Sequence, residues 1–193
     1  DHRDLHLSLR RQRQMCIRDR NAAAASIDGM ELETLWIPTA GLTLSANLGL
    51  LDSSYDDYMV VDGAGNALDK SGLDLRRAPD MTFTLGAMHE AQLTESSFLV
   101  STIDYRWKDD YCTSANNKYI EGNYGGNNPA CNDAFGILDA SISFESDNWR
   151  VSFYGKNLTD ELWRQSANAV AGLWNFTRFA PPREMGVRVG FSF

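Results

Sequence analysis

Cys112 and Cys131 are the residues of this chain best placed for covalent chemistry, near the two ends of one Asn- and Gly-rich stretch, 109–133. They form no C-x-x-C spacing and have no accompanying His, so the pattern is not that of a zinc site. Either an oxidised pair or two free thiols fits the spacing. The oxidised pair is the reading adopted here, and closing a loop of about twenty residues contributes roughly 3 kcal/mol in the chain-entropy treatment. Hydrolytic chemistry would need a nucleophile beside a base, usually His. Beyond residue 20 the one imidazole is His89, with no nucleophile identifiable beside it. No catalytic residue, cofactor or metal is therefore assigned, and the chain is not read as an enzyme. Asp52, Asp56 and Asp57 offer hard oxygen ligands for a cation such as calcium, but lack EF-hand spacing and read as a solvated acidic stretch. Noncovalent capture is what remains. Tyr55, Tyr58, Tyr111, Tyr119, Tyr124, Trp163 and Trp174 fall in the long connections, where aromatic faces give contact area at little entropic cost. They are the candidate ligand-binding residues. Their alternative role is as interfacial anchors.

These side chains must be held by strands, because the chain alternates with a period of two. Leu42, Leu44, Ala46, Leu48 and Leu50 are separated by Thr43, Ser45, Asn47 and Gly49. The same pattern recurs from Met81 to Ala87, Leu99 to Trp107, Leu138 to Phe144, Trp149 to Phe153 and Met185 to Phe193, with a less regular stretch from Ala23 to Trp36. That gives seven strands, each about ten residues or longer, the length a tilted strand needs to cross a bilayer. Soluble strands more often run to five or six residues. Connections alternate short and long. Pro38–Gly41, Ala91–Ser96 and Asp147–Asn148 are short turns; Asp56–Ala78, Asp109–Asp133 and Thr159–Pro182 are long. The predicted fold is all-β, an antiparallel up-and-down meander. One face is aliphatic with aromatics near the ends. The other carries Glu31, Glu33, Asp104, Arg106, Asp139, Glu145, Arg150, Lys156 and Arg188, too many charges for a dry core.

The first twenty residues do not belong to this pattern. They include six Arg and three Asp, so Asn21–Phe193 carries −11 against −8 for the whole chain. The segment Asp1–Arg20 resembles translated adapter sequence and is set aside as non-native; a basic flexible arm is the alternative. An acidic remainder argues against nucleic acid, whose phosphates call for a basic surface. No run of about 18 apolar residues predicts a membrane-spanning helix. The start reads as truncated, so the lack of a visible signal peptide excludes nothing.

Tyr154-Gly-Lys-Asn-Leu-Thr-Asp-Glu161, then Pro181-Pro-Arg-Glu184 leading into Met185-Gly-Val-Arg-Val-Gly-Phe-Ser-Phe193, resemble the C-terminal end of TonB-dependent outer-membrane receptors. Gly29-Met-Glu-Leu-Glu33, Asp52-Ser-Ser-Tyr55 and Arg77-Ala-Pro79 add to the likeness, which covers nearly all of residues 21–193. The resemblance implies the last third of a barrel of roughly 22 strands with a plugged lumen. It implies an outer-membrane location and energy-coupled uptake of a scarce nutrient such as a siderophore, vitamin or oligosaccharide. The implied partners are TonB, acting through a plug domain that this chain does not carry, the barrel-assembly machinery, outer-membrane lipid and the nutrient itself. Phe191 and Phe193 would be the assembly signal. Rival readings are a secreted, disulfide-containing β-sandwich that binds glycans, and a passive porin.

Overall fold

A computed structural model describes residues 24–61, 65–113, 131–170 and 174–192. The segment 1–20, Tyr119, Tyr124 and Phe193 lie outside these described residues. Seven strands form one antiparallel sheet: β1 (Ala24–Thr39), β2 (Leu42–Asp57), β5 (Met81–Thr94), β6 (Ser97–Lys108), β9 (Phe135–Ser146), β10 (Trp149–Lys156) and β13 (Glu184–Phe191), neighbours in that order. Three two-stranded hairpins occupy the long connections: β3 (Met59–Val61) with β4 (Ala67–Asp69), β7 (Tyr111–Cys112) with β8 (Cys131–Asn132), and β11 (Arg164–Val170) with β12 (Trp174–Phe179).

The meander is the one that the alternation predicts, with two corrections. Strands run further into the connections than the sequence pattern suggests: Thr39 still pairs with Leu42, Thr94 with Ser97, and β2 continues to Asp57. Backbone pairing does not require side-chain contrast, so it outlasts the alternation. Conversely, β10 and β13 have eight residues each, below the predicted ten. Asn157 takes φ 49° directly after β10, ending the strand. Pro181 and Pro182, which have no N–H to give a ladder, precede β13.

The sheet has two chemically distinct faces and, among the described residues, no second sheet stacked on either. Register places Leu48, Phe83 and Trp107 side by side, and likewise Ile142, Phe153 and Val187. Phe83 stacks on Trp107 at 5.4 Å between centroids, near the long-loop rim, and Trp149 meets Phe191 at 4.8 Å by the short turns. This apolar face does not close on itself: Ile142 is 44% and Val189 61% exposed. The described apolar side chains that are buried are Tyr55, Tyr58, Phe135 and Ala180, all near the connections rather than between sheets. A β-sandwich, whose two inner faces form a shared core, is thereby excluded.

The opposite face is tied across strands by polar groups. Arg106 donates to Asp139 at 2.5 Å, and Arg150 pairs with Glu145 through an Nε–Oε1 hydrogen bond of 2.8 Å. The hydroxyls of Thr102 and Ser141 meet at 2.8 Å, as do those of Ser143 and Ser152. Arg188 lies over the Tyr154 ring at 5.6 Å.

Candidate functional site

The long-loop rim is organised around the β7–β8 hairpin. Cys112 pairs with Cys131 across this hairpin, and the two are joined as a disulfide. Two residues per strand cannot sustain a hairpin unaided, and side chains from elsewhere brace it. Asn132 donates to the Arg164 carbonyl at 3.0 Å and accepts from the Arg164 N–H at 2.7 Å. The Arg164 guanidinium donates to the Cys131 carbonyl at 2.8 Å, and the Arg77 N–H to the Cys112 carbonyl at 2.8 Å. Three connections that are far apart in sequence thus meet at one point.

Aromatic packing follows the same junction. Phe135 stacks on Trp163 at 5.4 Å and meets Tyr111 at 6.4 Å. Burial pushes the Tyr111 phenol above its ordinary value, while the Arg77 guanidinium and a hydrogen bond with the Asn132 side chain pull it down. Tyr111 and Trp163, two of the candidate ligand residues, are therefore brought together by Phe135, which sequence reading passed over. Phe135 precedes the stretch recognised as strand, so its only signal was its aromatic type.

Tyr55 and Tyr58 behave differently, and the loop placement expected for Tyr55 needs correcting. Tyr55 is on β2 rather than in a loop. The two rings pack on each other at 4.6 Å, and are 7% and 3% exposed. The 70–73 segment folds back on them: Lys70 and Gly72 donate to the Tyr58 and Tyr55 carbonyls, and Tyr58 N–H donates to the Ser71 hydroxyl. The side-chain and backbone hydrogen bonds of Ser71 also hold the Asp69 carboxyl below its ordinary value. Rings enclosed in this way hold a loop together and leave little face for a ligand. Trp174 opens β12 opposite Val170, with its side chain outside the described residues.

Other sequence candidates are dispersed. Asp52 is level with Asp28, while Asp56 accepts hydrogen bonds from the Ser26 hydroxyl. No group of three or more His, Cys, Asp or Glu side chains able to hold a metal occurs among the described residues. His89 is in register with Leu42 and Ser101. No helix among the described residues is long and apolar enough to cross a membrane.

The two C-terminal motifs converge in space. Asn157, 4% exposed, donates through Nδ2 to the carbonyls of Glu161 (2.9 Å) and Pro181 (3.3 Å) and accepts the Glu161 N–H through Oδ1 at 2.9 Å. Its own N–H donates to Asp139 Oδ1 at 2.8 Å. Asp160 accepts the Arg183 N–H at 3.0 Å, and Thr159 donates to the Gly136 carbonyl at 3.0 Å. Asn157-Leu-Thr159 is thus an internal tie between the end of β10 and the approach to β13.

The family described as TonB dependent receptor-like, beta-barrel matches residues 8–158. Among solved structures, the fold is similar to the ferric yersiniabactin uptake receptor FyuA from Yersinia pestis, with a TM-score of 0.68 and 16% sequence identity. The match covers 88% of this chain and 24% of that one, so the chain spans about a quarter of the receptor that it resembles. Family match, seven-stranded meander and joined C-terminal motifs agree: this chain belongs to the TonB-dependent receptor β-barrel family.

Proposed function

We propose that this chain forms part of the wall and loop rim of an outer-membrane receptor that takes up a scarce nutrient at the expense of TonB-delivered energy. The observation that carries the reading is the two-faced single sheet, apolar on one side and laced with ion pairs on the other. From Gly136, facing Trp107, to Ser146, level with Trp149, β9 advances about ten residues, or roughly 33 Å at 3.3 Å per residue. At the roughly 40° tilt of outer-membrane strands this is about 25 Å along the bilayer normal, the height of their apolar band. Aromatic residues stand at both limits of that span, where headgroups would lie. A water-soluble domain would not leave so continuous an apolar face uncovered.

In this reading the disulfide-braced rim catches the ligand, with Tyr111 and Trp163 at its base. The polar face lines a lumen closed by a plug domain, and TonB acts through that plug. Phe191 and Phe193 serve as the signal to the barrel-assembly machinery. Residues 21–193 are the receptor part, with 1–20 set apart. A siderophore, vitamin or oligosaccharide fits the class. An iron chelate is the first probe, because the structural relative is an uptake receptor for ferric yersiniabactin. The test is uptake of labelled iron chelates, cobalamin and oligosaccharides by cells that express the whole receptor as their sole copy, with and without TonB. Accumulation of one ligand class only with TonB supports the proposal. Uptake that ignores TonB and simply follows solute size would make the protein a passive pore.

A further inference from the structure

A cavity of about 150 Å³ opens at the loop base, lined by Arg77, Pro79, Lys108, Tyr111 and Gln165. Its lining draws on three separate parts of the chain: the segment before β5, the end of β6 with the start of β7, and β11. Two of the five residues are cations and none is a carboxylate. Asp80, Asp109 and Asp110 adjoin it in sequence without lining it.

Arg77 holds φ 60°, in the left-handed region that residues other than glycine seldom adopt. Its N–H is fixed to the Cys112 carbonyl at 2.8 Å, so the disulfide-braced hairpin sustains this backbone and places the residue at the cavity. Such costly conformations concentrate where a side chain must be aimed. Lys108, in register with Thr82 and Phe135, is two residues beyond Arg106 and so on the polar face of the sheet. A ligand would therefore reach it from the lumen side rather than from lipid. The volume is below the 300–1,000 Å³ of whole-ligand pockets, which suits one functional group with part of its carrier. A guanidinium and an ammonium flanked by a phenol and an amide offer donors for anionic oxygens.

We propose that Arg77 and Lys108, with Tyr111 and Gln165, form a subsite for the anionic oxygens of a small soluble ligand, a carboxylate or phosphate group. The subsite relies on the receptor reading for its natural occupant but not for its existence. The test is calorimetric titration of citrate and, separately, inorganic phosphate into the intact receptor in detergent at low salt. Saturable binding of either anion is expected, with affinity falling about tenfold in Arg77→Gln and in Lys108→Gln. Arg188→Gln, whose guanidinium lies over Tyr154, should bind as the parent does. The Lys108 variant keeps the result decisive if Arg77→Gln loosens the loop. Citrate binding alone would assign carboxylate, phosphate binding alone phosphate. No saturable binding of either, unchanged affinity in Lys108→Gln, or displacement by lipid A vesicles but not by free phosphate would overturn the proposal. The titration reads the subsite without transport, so its failure is distinguishable from failure of the TonB-dependent uptake assay.

Discussion

Reducing the Cys112–Cys131 bond tests how the loop rim is held together. The bridge closes a 19-residue separation, and a loop of about that size removes roughly 11 cal/mol/K of chain entropy from the open state, or about 3 kcal/mol at 25 °C. At about 1.4 kcal/mol per factor of ten, the opening equilibrium should shift by roughly two orders of magnitude. Four hydrogen bonds among the described residues also brace the rim, joining Asn132 to Arg164, Arg164 to Cys131 and Arg77 to Cys112, each contributing about 0.5–1.5 kcal/mol net. They are present with or without the bridge, so they do not offset its loss. Hydrogen exchange of the intact receptor in detergent should therefore show the Arg77 and Arg164 amides exchanging about a hundredfold faster in the Cys112→Ser/Cys131→Ser variant. Ladder amides in the middle of β5 and β6 should be unaffected. Equal protection in both proteins would refute the reasoning, because the rim would then owe its order to packing alone.

Three further outcomes follow from the geometry. Leu85→Arg, on the apolar face, should destabilise the barrel by about 2–4 kcal/mol, whereas Asn47→Arg on the polar face should be tolerated; denaturant titration in lipid would show equal costs if the faces were assigned the wrong way round. Asn157→Ala should cost about 2–4 kcal/mol, because it strips partners from Glu161 and Pro181 and puts Ala at φ 49°. A heat-modifiability midpoint that hardly moves would count against it. Tyr111 should titrate above the ordinary phenol value of 10.0. Its raised folded-state pKa means that the associated stability is complete below that value and is lost as pH rises through the folded pKa. Ultraviolet titration of the parent and Tyr111→Phe would contradict this if the phenol removed were an early-titrating one.

The seven-stranded sheet was legible because its two faces meet different surroundings, which writes a period of two into residues such as Leu42–Leu50 and Leu138–Phe144. The loop hairpins were not, since a two-residue strand such as Tyr111–Cys112 has no period to read. The rim cluster was half legible. Cysteines and aromatic rings advertise themselves by type, but Arg77, Lys108, Asn132, Arg164 and Gln165 look like ordinary polar residues until pairing brings them together. The enclosure of Tyr55 and Tyr58 was hidden for a related reason: sequence shows that a ring lies beyond the alternation, not that a neighbouring segment folds over it. The C-terminal motifs were recognisable separately, while their meeting through Asn157–Pro181 and Asp160–Arg183 required coordinates.

That meeting bears on how the last strand finds its place. A slip of one residue would turn Val187 and Val189 to the polar side and Arg188 to the apolar side, and β13 is bound by the described chain along one edge alone. Because Asn157 and Asp160 grasp Pro181 and Arg183 ahead of the ladder, the offset between β10 and β13 is set at a fixed point before any of their rungs need form. The β10–β13 ladder can then form already in phase.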